Sequence, residues 1–112
     1  MALNPTSTYT ADAPSRAEID ALTGPTVVEF GTAWCGWCRA AQPLIASAFA
    51  GHAGVRHLRI EDGRGRPLGR SFGVKLWPTL IFLADGSEAA RLVRPAQADD
   101  IARALAQIDP VP

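Results

Sequence analysis

The chain has 112 residues, is 47% hydrophobic, and carries 11 basic residues against 11 acidic ones. That length supports one domain with one core and is too short for two ordinary ones. The balanced charge gives no basic surface for nucleic acid, and no apolar run reaches the roughly 20 residues of a membrane span, so neither partner is expected.

Residues 1–14 are polar, contain proline and are weakly patterned. They read as an N-terminal arm, with a short edge strand near Thr8–Thr10. Met1 to Thr8 has neither the basic nor the apolar region of a secretory signal, which predicts a cytoplasmic protein. The domain itself is expected over residues 15–109, with 110–112 as a C-terminal tail. Ser15 followed by Glu18 forms a capping box, so a short helix should run from Arg16 to about Leu22. Gly24-Pro25 ends it, and Thr26–Phe30 reads as a buried central strand.

The strand leads through a small-residue loop into Trp34-Cys35-Gly36-Trp37-Cys38, which holds both cysteines of the chain. A helical pattern begins there and runs to about Ala50, with Leu44, Ile45, Ala48 and Phe49 as core positions and Pro43 as a kink. Residues three apart in a helix share a face, so the two sulfurs can bond or part. The first turn of a helix leaves N–H groups unpaired and carries the positive end of the dipole, which favours a thiolate at Cys35. Cys38 lies a turn deeper and should be less exposed. Cys35 is therefore the candidate nucleophile, which forms a mixed disulfide with a partner. Cys38 is the candidate resolving thiol, which attacks Cys35 and releases that partner reduced. Trp34 and Trp37 supply apolar surface beside the sulfurs.

Cys38 needs a proton acceptor, and Glu29 is the candidate. A carboxylate buried in an apolar strand should have a raised pKa and trade protons near neutrality. The alternative is an ordinary charge on the outer strand face. Zinc is a competing reading of the cysteine pair, but a structural site normally takes four ligands. The spacing of His52 and His57 does not resemble a zinc-finger tail, and no metal is expected. A permanent structural disulfide is also disfavoured, because so small a loop constrains little.

Val55–Ile60 is the next strand, with Val55, His57 and Arg59 on one face and Leu58 and Ile60 on the other. Glu61–Gly69 reads as a loop into a short helix ending near Phe72-Gly73. Its arginines, Arg64, Arg66 and Arg70, read as a solvated patch. Thr79–Leu83 is a clear strand, Asp85-Gly86 a hairpin turn, and Glu88–Val93 its antiparallel return. Gln97–Ile108 is a final helix with Ile101, Leu105 and Ile108 on one stripe. Strands alternating with helices, then a hairpin and a helix, make an α/β domain with a mixed sheet covered on both faces.

These residues resemble the thioredoxin family. Trp34-Cys35-Gly36-Trp37-Cys38 is similar to the family's WCGPC motif, and Glu29 takes the place of its buried aspartate. Pro43 sits at its helix kink, Trp77-Pro78-Thr79-Leu80 resembles its cis-proline loop and following strand, and Asp85-Gly86 falls at its hairpin. The resemblance covers about Thr8 to Ile108. It implies a thioredoxin fold, with a central mixed β-sheet of four to five strands flanked by helices on both faces. It also implies that Pro78 lies against the cysteine pair and that Trp77 offers its backbone to an extended substrate segment. Trp34, Gly36, Trp37, Trp77, Pro78 and Arg94 are then the expected substrate-binding residues.

Several positions depart from the family pattern. Trp37 stands where reductases usually carry proline, and the middle residues of the motif tune the reduction potential. Gly31 replaces a tryptophan, leaving space near the site. His57 replaces a lysine near the carboxylate and is a candidate for tuning Glu29; a histidine satisfied within the core is the other reading. Arg94 replaces a glycine of the groove, where it would narrow the groove or meet acidic substrates. The function implied is a thiol-disulfide oxidoreductase, mainly a reductase of protein disulfides. Its only redox group would be the Cys35-Cys38 pair, with no other cofactor. Its partners would be disulfide-containing proteins and a thiol or flavoprotein reductase as electron donor, and it would act as a monomer. The alternatives are a binding or chaperone-like module using the tryptophan-lined groove, and a thiol oxidase or isomerase.

Overall fold

The computed structural model describes residues 9–110. In chain order these form α1 (Arg16–Asp20), β1 (Pro25–Gly31), α2 (Gly36–Phe49), β2 (Arg56–Glu61), α3 (Pro67–Ser71), β3 (Thr79–Ala84), β4 (Ser87–Val93) and α4 (Ala98–Ile108). The sheet has four strands in the order β2-β1-β3-β4. β1 runs parallel to β2 and antiparallel to β3, and β3 pairs antiparallel with β4.

Alternation along β1 sorts its side chains between two cores. Val27 joins Ala41, Ile45 and Ala48 of α2 and Ile101, Leu105 and Ile108 of α4 on one face. Val28 and Phe30 meet Ile19 of α1 and Leu68 and Phe72 around α3 on the other. Glu29 and Gly31 share the α2 face with Val27, and the parallel register sets His57 opposite Val27 and Arg59 opposite Glu29. This register is what gathers charged residues beneath the start of α2.

Local signals act as their chemistry dictates. The Ser15 hydroxyl accepts from the Glu18 N–H at 3.1 Å, and the Glu18 carboxylate accepts from the Ser15 N–H at 2.8 Å. At the β3-β4 turn both Asp85 and Gly86 have positive φ, 49° and 81°, as a tight hairpin with the strands' own twist requires. α1 ends at Asp20, two residues short of the expected Leu22.

The arm differs from expectation. Met1–Thr8 lies outside the described residues, so that part of the expected edge strand is not described. Tyr9 is buried, and Thr10 forms an isolated parallel bridge with Ile60. The folded unit therefore begins by Tyr9 rather than at residue 15. The edge of β2 takes up the Thr10 backbone groups, and the hollow beside Gly31 takes up the Tyr9 ring.

Candidate active site

α2 begins at Gly36 with Cys35 as its N-cap, in extended conformation. The Cys35 sulfur accepts a hydrogen bond from the Cys38 N–H at 3.2 Å, one of the donors a helix start leaves unpaired. Both cysteines are free thiols. Cys38 is the deeper, with 1% of its surface accessible against 8% for Cys35. Cys35 is more enclosed than a site at an open crevice would be, because Trp77 packs against the cluster formed by Tyr9, Cys35 and Cys38.

The expected substrate-binding residues converge around Cys35. Trp34 and Trp37 are 71% and 59% exposed, large for indoles on a small domain. The Trp34 and Trp77 rings meet edge to face at 5.7 Å. Gly36 is exposed between the tryptophans. Pro78 is buried, and the Trp77-Pro78 peptide bond is cis.

Arg94 bridges Trp77 and Trp37. Its Nε donates to the Trp77 carbonyl at 2.8 Å, and its guanidinium lies 4.7 Å from the Trp37 ring centroid. Its φ of 50° is a left-handed conformation that a glycine adopts more readily. Arg94 is thus tied to both Trp77 and Trp37.

Behind Cys38 lies a polar cluster drawn from three elements and the arm. Glu29 is fully buried. The Tyr9 hydroxyl and Gln42 Nε2 donate to its Oε2, the latter at 3.0 Å. His57 Nε2 lies 2.8 Å from its Oε1, and Arg59 Nε lies 3.4 Å from the same atom. Gln42 also donates to the Cys38 carbonyl at 2.8 Å and accepts from Arg59 Nη2 at 2.7 Å. The Phe49 ring stacks on His57 at 4.4 Å, fixing the imidazole. His57 thus contacts Glu29 directly, as a tuning residue must.

Two expectations about this cluster are corrected. The first concerns Glu29. Burial is the largest influence on its acidity and would raise its pKa. The hydrogen bond and charge of His57, the charge of Arg59 and the Tyr9 hydroxyl together outweigh it, so the net shift is downward. A strand pattern shows burial but not the number of donors turned toward a carboxylate. No hydrogen bond joins Glu29 to Cys38 among the described residues; the Tyr9 hydroxyl donates to Glu29 and is a hydrogen-bonding influence on Cys38.

The second concerns Gly31, which leaves no open space. A Cβ there would lie 2.6 Å from Cys38 Sγ and 2.9 Å from the Tyr9 hydroxyl oxygen. The missing side chain admits the Tyr9 ring.

Cys38 is correspondingly a poor acid at rest. Burial, followed by its hydrogen bond with Cys35, pushes the thiol up to about 12, against smaller opposing influences from the Thr32 backbone and the Tyr9 hydroxyl. Tyr9, Gln42 and Arg59 were not singled out as site residues from sequence. Gln42 carried a signal, lying four residues past Cys38 on the same helix face, and Arg59 carried one, two residues past His57 on the same strand face. Tyr9 carried none beyond the unexplained Gly31.

The pair can do dithiol chemistry: a sulfur at a helix start that keeps a small accessible surface, a second, deeper sulfur three residues on, and exposed indole surface beside the first. Among the described residues, no group of three or more His, Cys, Asp and Glu side chains is placed to hold a metal ion.

Comparison with known proteins agrees with this geometry. The thioredoxin family model matches residues 7–107. Thioredoxin 2 from Pseudomonas aeruginosa PAO1, solved in its reduced form, is 57% identical with a TM-score of 0.83, over 91% of this chain and 94% of that one. Thioredoxin Asp f 28 of Aspergillus fumigatus is 29% identical over 70 residues, 62% of this chain and 65% of that protein. The thioredoxin of Haemophilus influenzae is 31% identical over 72 residues, again 62% and 65%. The aligned stretch thus spans just under two thirds of the length of these last two relatives.

Proposed function

The chain belongs to the thioredoxin family, and on that premise we propose that it is a thiol-disulfide oxidoreductase that works mainly as a reductase of protein disulfides. The observation that carries this reading is the pair of free thiols at the start of α2, the outer one packed by Trp77 and flanked by the exposed indoles of Trp34 and Trp37. Cys35 attacks a substrate disulfide and takes one of its sulfurs into a mixed disulfide. Cys38 then attacks Cys35 Sγ, the substrate sulfur leaves with the electron pair, and the Cys35-Cys38 bond remains. The two sulfurs carry the electrons, so the exchange calls for no further cofactor. A thiol or a flavoprotein reductase returns the pair to its dithiol form.

The tryptophan rings give such substrates a broad apolar contact. An extended segment bearing the disulfide would lie along the Trp77-Pro78 loop. There the Trp77 carbonyl is already held by Arg94, so a substrate using that carbonyl must displace the guanidinium. We take it to act as a monomer in this exchange. Flow toward substrate reduction fits a compartment that keeps thiols reduced, and we place the protein in the cytoplasm on that ground. Among the described residues no helix is long and apolar enough to cross a membrane.

Reduction of insulin disulfides with dithiothreitol as electron source tests the proposal. The protein is expected to shorten the lag before insulin B-chain precipitation in proportion to its concentration. A lag equal to that of dithiothreitol alone would refute it.

A further inference from the structure

The resolving thiol and the buried carboxylate that would take its proton are not in contact, and the residue between them is a tyrosine from the N-terminal arm. Tyr9 and Cys38 pack in one buried cluster, a Cβ on Gly31 would meet both Cys38 Sγ at 2.6 Å and Tyr9 Oη at 2.9 Å, and the Tyr9 hydroxyl is a hydrogen-bonding influence on the Cys38 thiol. The same hydroxyl donates to Glu29 Oε2. Gln42 Nε2, 3.3 Å from Tyr9 Oη, holds it from the third side, and the Arg59 guanidinium lies 4.5 Å from the Tyr9 ring centroid. The hydroxyl has one proton, which it donates to the carboxylate at rest, leaving a lone pair that can accept the Cys38 proton; toward an ionised Cys38 the same proton would turn to the sulfur, the interaction that favours the thiolate.

We propose that Tyr9 is the proton relay of the resolving step, passing the Cys38 proton to Glu29. The inference rests on the dithiol-exchange reading. In the mixed disulfide, Cys38 S–H gives its proton to Tyr9 Oη while the Tyr9 proton moves to Glu29 Oε2. The Cys38 sulfur attacks Cys35 Sγ, the Cys35–substrate bond breaks, and the substrate thiolate leaves and is protonated by solvent. Tyr9 ends as it began, and Glu29 has gained the proton that Cys38 lost. The Arg59 cation and the His57 hydrogen bond beside Glu29 make its acid form short-lived, and the proton is given up to bulk water.

Burial, then the neighbouring Glu29 charge, suppress ionisation of the Tyr9 phenol, so it acts as a conduit and not as a base in its own right. Gly31 is the enabling substitution, since a Cβ on it would collide with both groups that the relay joins.

Ellman's reagent separates the two chemical steps. Cys35 attack releases one thionitrobenzoate and forms a mixed disulfide, and Cys38 attack releases the second. Tyr9→Phe is expected to leave the first phase within about twofold. It should slow the second by roughly tenfold to a hundredfold near pH 7, the scale of a lost proton-transfer group. The deficit should shrink as pH rises and hydroxide deprotonates Cys38 directly.

Tyr9 is the only tyrosine of the chain, so biosynthetic 3-fluorotyrosine alters this hydroxyl alone and keeps the ring's packing. Its more acidic phenol should move the pH profile of the second phase downward, opposite to the Phe variant. The groups that face Tyr9 and titrate or carry charge are Glu29, His57, Arg59, Cys35 and Cys38, and all remain in both proteins. A second phase unchanged in both variants, or slowed equally at every pH, would overturn the relay. A wild-type protein with no second phase would overturn dithiol exchange itself, so the two failures are distinguishable.

Discussion

Replacing Cys38 with serine will arrest the protein as a mixed disulfide on Cys35, and replacing Cys35 with serine will prevent the mixed disulfide from forming. Turnover in either variant should fall by roughly three orders of magnitude or more, the scale seen when a covalent nucleophile is removed. The asymmetry follows from position. Cys35 is the N-cap of α2, its sulfur accepts the Cys38 N–H, and it keeps the more accessible surface of the two. Cys38 is sealed beneath it, so only an intramolecular attack reaches an incoming partner through that sulfur. Mass spectrometry of each variant after incubation with a disulfide peptide checks this. A stable adduct on the Cys35→Ser variant and none on the Cys38→Ser variant would reverse the assignment.

Removal of the Glu29 carboxylate will be costly to stability. Glu29→Ala leaves the Arg59 cation and the His57 imidazole without their carboxylate partner, and leaves the Tyr9 hydroxyl and Gln42 amide without their shared acceptor. Breaking one side of a buried charged cluster costs about 3–5 kcal/mol, measurable as a lower urea midpoint.

The pH dependence has a definite sign. The folded-state pKa of Glu29 is held below its ordinary value of 4.5. Its ionised form therefore stabilises the fold fully above that value, and the contribution is lost as pH falls from there through the depressed value. The stability difference between wild type and Glu29→Gln should be constant above that window and shrink below it. A difference that grows as the solution is acidified would mean that the carboxyl is neutral in the fold.

The sequence made some of this site legible and hid the rest for physical reasons. The cysteine pair, its tryptophans and the start of α2 lie within five consecutive residues, so local rules of helix termini and thiol chemistry reach them. Glu29 was legible as a buried charge because its strand neighbours are apolar. Its acidity was not, because that depends on donors from β2, α2 and the arm meeting at one carboxylate.

Gly31 shows the same limit. A missing side chain reads as empty space until the fold shows which other residue enters it, and Tyr9 is 22 positions away, in a segment whose polarity reads as a loose arm. Arg94 was visible as a departure, yet its hydrogen bond to the Trp77 carbonyl depended on the path of a loop 17 residues away. The strands, the hairpin and the amphipathic α4 followed from period and turn chemistry. The register that sets His57 and Arg59 beneath Cys38 follows from pairing between strands about 30 residues apart in sequence.

The central claim is that the Cys35-Cys38 pair moves reversibly between dithiol and disulfide. An equilibrium titration across dithiothreitol and glutathione buffers, quenched by alkylation and read by mass, tests it most directly. A single two-electron transition between the doubly alkylated and the unalkylated protein, abolished by Cys38→Ser, is the expected result. A pair that stays alkylatable at every poise, or that accumulates only glutathione adducts, would contradict it.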